Sequence, residues 1–284
     1  MAQFIAAYPN EDACLNALFD EYRAAVPHCA KCGVVGARFY RVKNRRSFAC
    51  VHCRHQIYPT AGTIYHKTTT PLTSWFFAIY LFSTSRNGVS ALELQRHIGV
   101  TYKTAWRMCK QIRSTMKQDP RKLRGVVEAD EAYIGGRRRS SNRFSNKTPL
   151  LGVVQRNGRV RVLVTDSASA TTALPFLRGA IAKNVTLITD ESRIYFRAKQ
   201  DFSHTTVNHS KGDYVRDSIY TNTLEGFWGI LKPSLDGTYR SVSKQHLQLY
   251  VDEFAWRYNN RGQQLYPLLW RSAVMQCQRA PNKH

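Results

Sequence analysis

The chain predicts an α/β protein with a separate metal-stapled N-terminal part, and three observations carry that expectation. Two C-x2-C pairs stand near the N-terminus, Cys29 with Cys32 and Cys50 with Cys53. Apolar residues recur at helical spacing through residues 71–113, and beyond a polar stretch at 117–124 the period becomes that of strands. From there the segments run strand, hairpin, helix, strand, then helices, which is the order of an RNase H-like core. The expected domains are an N-terminal helix with a ribbon over 1–66, a small helical domain over 67–118, and the α/β core over 119–284.

Taken in order, residues 10–26 read as a helix, with Cys14, Leu15, Leu18, Phe19 and Tyr22 on one side and Pro27 ending it. Each C-x2-C places two thiolates on a tight turn, and two such turns supply the four-sulfur set that Zn²⁺ prefers. One structural Zn²⁺ on Cys29, Cys32, Cys50 and Cys53 is therefore expected, with His52 and His55 as lesser candidates. Segments 37–42 and 46–50 read as the ribbon's strands. Disulfides suit a chain without a secretion signal poorly. Cys14, Cys109 and Cys277 fall in helical patterns and read as small core residues.

Residues 71–85 read as a largely buried helix opening on Pro71. Ser90–Gly99 and Thr101–Arg113 read as two helices about a glycine turn, the second showing Lys103, Arg107 and Lys110 outward. That pattern fits a helix-turn-helix DNA reader and also a hairpin that supports the next domain; the basic setting favours the reader. Then come a strand over 126–134, a basic loop from Arg137 to Thr148, and a hairpin over 150–165 with Asn157-Gly158 as its two-residue turn. A helix over 171–183, a strand over 185–190, a short strand near 205–209 and a helix over 243–257 follow. Between the last two lies Asn222–Lys232, read as a helix with Leu224, Phe227, Trp228 and Leu231 on its apolar flank. Asn222, Glu225 and Lys232 share the opposite face, and Pro233 is expected to place Lys232 at the helix end.

Charge narrows the partners. Forty-two Lys and Arg against nineteen Asp and Glu give +23. No acid occurs between Glu21 and Glu93, where ten bases do, nor between Ala132 and Val164, where eight do. Long single-sign regions point to a polyanion, and double-stranded DNA is the expected one. No apolar run is long enough to span a bilayer and no basic leader opens the chain, so no membrane role is expected and a cytoplasmic, nucleoid-associated protein is.

Three acids fall where such a core places a metal site. Asp130 lies in the first strand, Asp190 ends a later strand, and Glu225 sits on the following helix. Hard oxygen ligands suit Mg²⁺ or Mn²⁺, and two such ions can clamp the attacking and leaving oxygens of phosphoryl transfer. Glu128 shares Asp130's strand face, and Glu131 and Glu191 flank the aspartates, so periodicity alone leaves the choice open.

Several stretches give a resemblance. Glu128-Ala-Asp130-Glu-Ala-Tyr-Ile-Gly-Gly136, Ile188-Thr-Asp190-Glu, His209-Ser-Lys-Gly-Asp-Tyr-Val, Thr221–Lys232 and Phe254-Ala-Trp-Arg-Tyr-Asn-Asn-Arg261 resemble a bacterial insertion-sequence transposase of the DDE superfamily, of the zinc-ribbon group related to Merlin elements. Thirty-four residues separate Asp190 from Glu225, a spacing typical of that superfamily. The resemblance implies Asp130, Asp190 and Glu225 as ligands of two Mg²⁺ or Mn²⁺ ions, Lys232 near the DNA backbone, and cleavage of an element end followed by strand transfer to target DNA. It implies recognition of terminal inverted repeats and at least a dimer on DNA, and Arg137, Arg138 and Arg139 of the basic loop are expected, from their charge, to contact that DNA. Some relatives carry Asn in place of the third acid, and this chain has both Asn222 and Glu225. The same core suits a nuclease or resolvase that cuts without joining, and the ribbon with the helix-turn-helix suits an inactive DNA-binding regulator.

Overall fold

The structure is a computed structural model and describes residues 1–135, 147–207 and 222–275. Arg137, Arg138, Arg139, the His209–Val215 stretch, Asp213, Asp217 and Cys277 lie outside the described residues. The chain forms two units, Met1–Thr115 with Gln264–His284, and Met116–Gln263.

In the first unit, a short α1 (Ala2–Ala7) precedes α2 (Glu11–Ala25), whose first turn is capped by Asn10 Oδ1 accepting from the Ala13 amide at 2.9 Å. Cys14, Leu15 and Leu18 form its buried stripe. The ribbon is an antiparallel sheet of β1 (Phe39–Arg41), β2 (Phe48–Cys50) and a third strand the sequence did not announce, β3 (Gln56–Ile57). Phe48 stacks on Phe19 of α2 at 3.9 Å.

α3 (Leu72–Thr84) begins one residue after Pro71, which occupies the cap rather than the first helical position. α4 (Ala91–Ile98) has a full capping box of Ser90 and Glu93 and stops at Gly99, whose φ of 68° suits glycine. α5 (Tyr102–Thr115) buries Ala105, Met108, Cys109 and Ile112 and leaves Lys103, Arg107 and Lys110 exposed. The last described helix, α9 (Leu265–Met275), also belongs to this unit and sets the Trp270 ring 4.5 Å from that of Phe76.

The second unit holds a five-stranded mixed sheet in the order β6-β5-β4-β7-β8. The strands are β4 (Leu123–Ile134), β5 (Thr148–Gln155), β6 (Val160–Val164), β7 (Ile181–Asp190) and β8 (Ser203–Val207). β4 pairs antiparallel with β5 and parallel with β7, so the sheet changes character at its centre. Alternation along β4 splits the core. Val127 and Ala129 face α6 (Ala170–Ala180) and the 3₁₀ helix Arg193–Gln200, whereas Ala132 belongs with α7 (Asn222–Ser234) and α8 (Lys244–Asn259).

Three local expectations are corrected. The helix expected over 171–183 ends at Ala180, because Ile181 pairs with Leu123 and strand pairing takes over. The β5–β6 turn has three residues, not two: Gly158 donates to the Gln155 carbonyl at 2.9 Å, and Asn157 takes the left-handed position at φ 55°. α7 continues through Pro233 to Ser234 and opens into a π turn, Leu235–Tyr239; Lys232 stays in its last turn.

The free edge of β6 is closed by side chains. Asn259, Gln118 and Gln248 bond the backbone of Val160, Val162 and Val164, each side-chain carbonyl accepting from the amide of one of these residues at 2.7–2.8 Å. Their amide groups donate back to the carbonyls of Val160 and Val162. An edge satisfied this way cannot recruit another strand.

Candidate active site

Asp130 and Asp190 meet because their strands run parallel in register. Ala129 pairs with Thr189, so the next residues on both strands, the two aspartates, stand side by side where β7 ends. β7 stops at Asp190 while β4 runs on to Ile134. Glu131 thereby has no neighbour in β7, and its carboxylate, Asp130's and Asp190's offer ligand atoms all within 4.8 Å of one another.

Each carboxylate is held. Asp130 accepts from the Glu131 amide at 2.8 Å on one oxygen and from the Trp228 indole at 3.0 Å on the other, so each oxygen keeps a second lone pair. The Ser192 amide donates to Asp190 at 3.1 Å, and the Ser192 hydroxyl donates to Glu131 at 3.1 Å. The second oxygen of Glu131 and the hydroxyl of Tyr195 are both buried, and the two side chains interact. Glu225 and Lys232, both exposed on α7, line a cleft of about 400 Å³ together with Asp130, Glu131 and Trp228. Asn222 is exposed at the start of α7 and is not part of that lining.

Burial, then the charges of Asp190 and Glu225, push Asp130 up to about 6 against the pull of the Trp228 bond. Burial, then Asp190 and Asp130, push Glu131 up to about 7. These acids resist sharing one pocket as anions, which is the situation a bound divalent cation relieves. The sign follows: carboxylates with raised folded-state values stabilise the fold at low pH and lose that contribution as pH climbs from about 4 through 7. Mg²⁺ or Mn²⁺ is therefore expected to raise the melting temperature much more at pH 8 than at pH 5. Equal shifts at both would contradict this account.

Glu128, the rival on the same face, has another task. It is fully buried, pairs with Arg156 Nε at 2.9 Å, and accepts from the Thr223 hydroxyl at 2.9 Å and the Thr223 and Leu224 amides at 3.0 and 3.2 Å. It caps α7 from the neighbouring strand and thereby places Glu225, Trp228 and Lys232.

Gly152 is a further residue that shapes the site. It pairs with Asp130 across β4 and β5, and a Cβ there would lie 2.5 Å from the Trp228 ring. A glycine inside a strand marks close approach of another group, and that signal was present in the sequence. Gly152→Ala is expected to cost about 1–3 kcal/mol and to displace the indole from Asp130. Denaturation and Trp fluorescence would check it; an unchanged midpoint and spectrum would refute it.

In the first unit, the four cysteine sulfurs also lie within 4.8 Å of one another. Cys29–Cys53 and Cys32–Cys50 are 3.6 and 4.0 Å apart, bracketing the roughly 3.8 Å edge of a tetrahedron with ~2.3 Å metal–sulfur bonds. The two turns are alike: the amides of Gly33 and Arg54 donate to the carbonyls of Cys29 and Cys50, and both residues have positive φ. Backbone amides of Cys32 and Lys31 favour the Cys29 thiolate, holding it down at about 6. This donor set fits zinc.

A mixed sheet in this order, with Asp130 and Asp190 side by side on its two central parallel strands, defines an RNase H-like α/β domain. Residues 122–259 match the ISXO2-like transposase domain, and residues 9–56 match a transposase zinc-ribbon domain. The chain belongs to the ISXO2-like transposase family. It is 27% identical over 251 residues, 81% of this chain and 84% of the other, to an uncharacterized protein in transposable element ISH50 of Halobacterium salinarum. It is 30% identical over 103 residues, 36% of this chain and 82% of the other, to an uncharacterized transposase-like protein of Haemophilus influenzae. A solved HTLV-2 integrase catalytic core domain in complex with magnesium aligns over 51% of this chain and 90% of that one, at 13% identity and a TM-score of 0.32. No helix among the described residues is long and apolar enough to cross a membrane.

Proposed function

We propose that the chain is a DNA transposase that cuts at the terminal inverted repeats of its element and joins the freed 3′ end to target DNA. The observation that carries this is the carboxylate cluster of Asp130, Glu131 and Asp190, whose Asp130 and Glu131 line one cleft with Glu225 and Lys232. Divalent ions held by Asp130, Asp190 and Glu225 would supply the Lewis acidity that activates the attacking oxygen and offsets charge on the leaving one.

The chain's own residues do the rest. The Glu131 amide and the Trp228 indole orient Asp130, and Ser192 orients Asp190. Glu225 closes the cleft from α7, and Lys232 offsets phosphate charge as it builds in the transition state. Asn222, exposed at the start of α7, is placed to contact DNA. Cys29, Cys32, Cys50 and Cys53 hold one structural Zn²⁺, and the ribbon gives mainly backbone contacts to the element end. Lys103, Arg107 and Lys110 on α5 present the recognition face of a helix-turn-helix, with Arg137, Arg138 and Arg139 adding phosphate contacts. Joining two ends calls for at least a dimer on DNA, working in the cytoplasm on the nucleoid.

The test is a duplex carrying the repeat that borders the reading frame, incubated with Mg²⁺. Nicking at the repeat's end to leave a 3′-hydroxyl is expected. Equal cutting of an unrelated duplex would favour a general nuclease and overturn the proposal.

A further inference from the structure

The sheet of the second unit has two ends, and the acids use only one. At the other end, where β4 and β7 begin and β5 turns into β6, Arg121, Lys122, Arg124 and Arg159 line a cleft of about 520 Å³ with Gln155 and Ala182. Arg124 and Asp130 are six residues apart on one strand, about 20 Å at ~3.3 Å per residue. A phosphate in this cleft cannot be the one being cut.

The bases are held ready. Asp119 binds Arg121 through both its oxygens and lies 2.5 Å from Arg159. One carboxylate thus fixes two guanidinium groups without neutralising both. The Lys122 ammonium is anchored on the Arg178 carbonyl at 2.7 Å. The exposed Arg124 makes no ion pair with any described residue, although its amide is fixed by Gln155 at 3.1 Å. Two residues beyond Arg159, Arg161 Nε is buried with no hydrogen-bond partner among the described residues, while its Nη1 donates to the Gly179 carbonyl at 3.2 Å. Four bases around a concave surface, with one acid behind them, would repel one another unless an anion joined them.

We infer that this cleft is a second phosphate-binding site, remote from the carboxylates and built for the phosphodiester backbone of duplex DNA. At ~3.4 Å per base pair, a duplex seated at the acids and running along the sheet would reach the cleft about six base pairs away. Whatever the sequence there, its phosphates would fill the site, so the contact adds affinity and register without selecting bases. The site does not depend on strand-joining activity, although its proposed occupant follows from the DNA reading above.

The experiment compares full-length wild type with Lys122→Gln/Arg124→Gln, neither residue being an ion-pair partner of Asp119. Affinity for a fluorescent duplex of random sequence, longer than ~6 base pairs on either side of its centre, is measured across a range of salt. The variant is expected to lose about two in the slope of log K against log salt, and on the order of tenfold or more in affinity at low salt. Its melting temperature and its response to Mn²⁺ should stay those of wild type. A parallel titration with pyrophosphate separates the sources. If the variant loses only pyrophosphate binding, the site takes a small phosphorylated ligand and the duplex assignment falls. An unchanged slope together with unchanged pyrophosphate binding overturns the site itself. Asp130→Ala with wild-type salt slope but no nicking separates failure here from failure of the catalytic proposal.

Discussion

Replacing Asp130 or Asp190 with Ala is expected to lower Mg²⁺-dependent nicking by about three orders of magnitude or more, since a ligand's loss removes several kcal/mol of transition-state stabilisation. The fold should survive both changes. Each aspartate adds charge to a crowded pocket, and removing Asp130 relieves the repulsion that raises Glu131. The variants should therefore melt near wild type without added metal, and should lose most of the stabilisation that Mn²⁺ gives at pH 8. A variant within tenfold of wild-type nicking would remove these residues from the chemistry. A variant that unfolds would instead move them into the scaffold.

The second large effect falls on stability. Glu128→Ala would strip α7 of its cap, leave the Arg156 charge without its buried partner, and orphan the Thr223 and Leu224 amides. Breaking one side of a buried ion pair costs about 3–5 kcal/mol, a large share of a domain's stability. Glu128→Gln keeps the shape and should lose less. Chemical denaturation of the two variants gives the answer. A loss under about 1 kcal/mol for the alanine variant would mean that α7 is held chiefly by its apolar face. Such a result would leave the placement of Glu225 and Lys232 without its present explanation.

Much of this site was legible before any coordinates. Asp190 stands at the end of an apolar strand pattern, which local periodicity finds, whereas Asp130 lies within its strand and is singled out by the family resemblance. The four cysteines announce themselves by spacing, and α4 by the glycine that ends it. Glu128 and Asp130 could not be told apart in sequence because two residues on one strand face have the same period. Only α7, arriving from nearly a hundred residues away, makes one a cap and leaves the other in the cleft. Glu131 stood out in the sequence only as a neighbour of Asp130, for the converse reason. By alternation it belongs to the opposite face, and it joins the acids only because β7 ends one residue short of it. Gly152 depends on an indole that sequence cannot place. The extent of β7 follows from pairing with β4, which overrides the helical character of the residues before it.

The most direct measurement supplies a pre-cut element-end duplex with a free 3′-hydroxyl, a supercoiled plasmid and Mg²⁺, and looks for covalent joining of the two. Wild type is expected to give joined products that vanish with Asp130→Ala and Asp190→Ala. Cutting without any joined product by the wild-type chain, or joining that survives loss of either aspartate, would contradict a transposase working through this pair of acids.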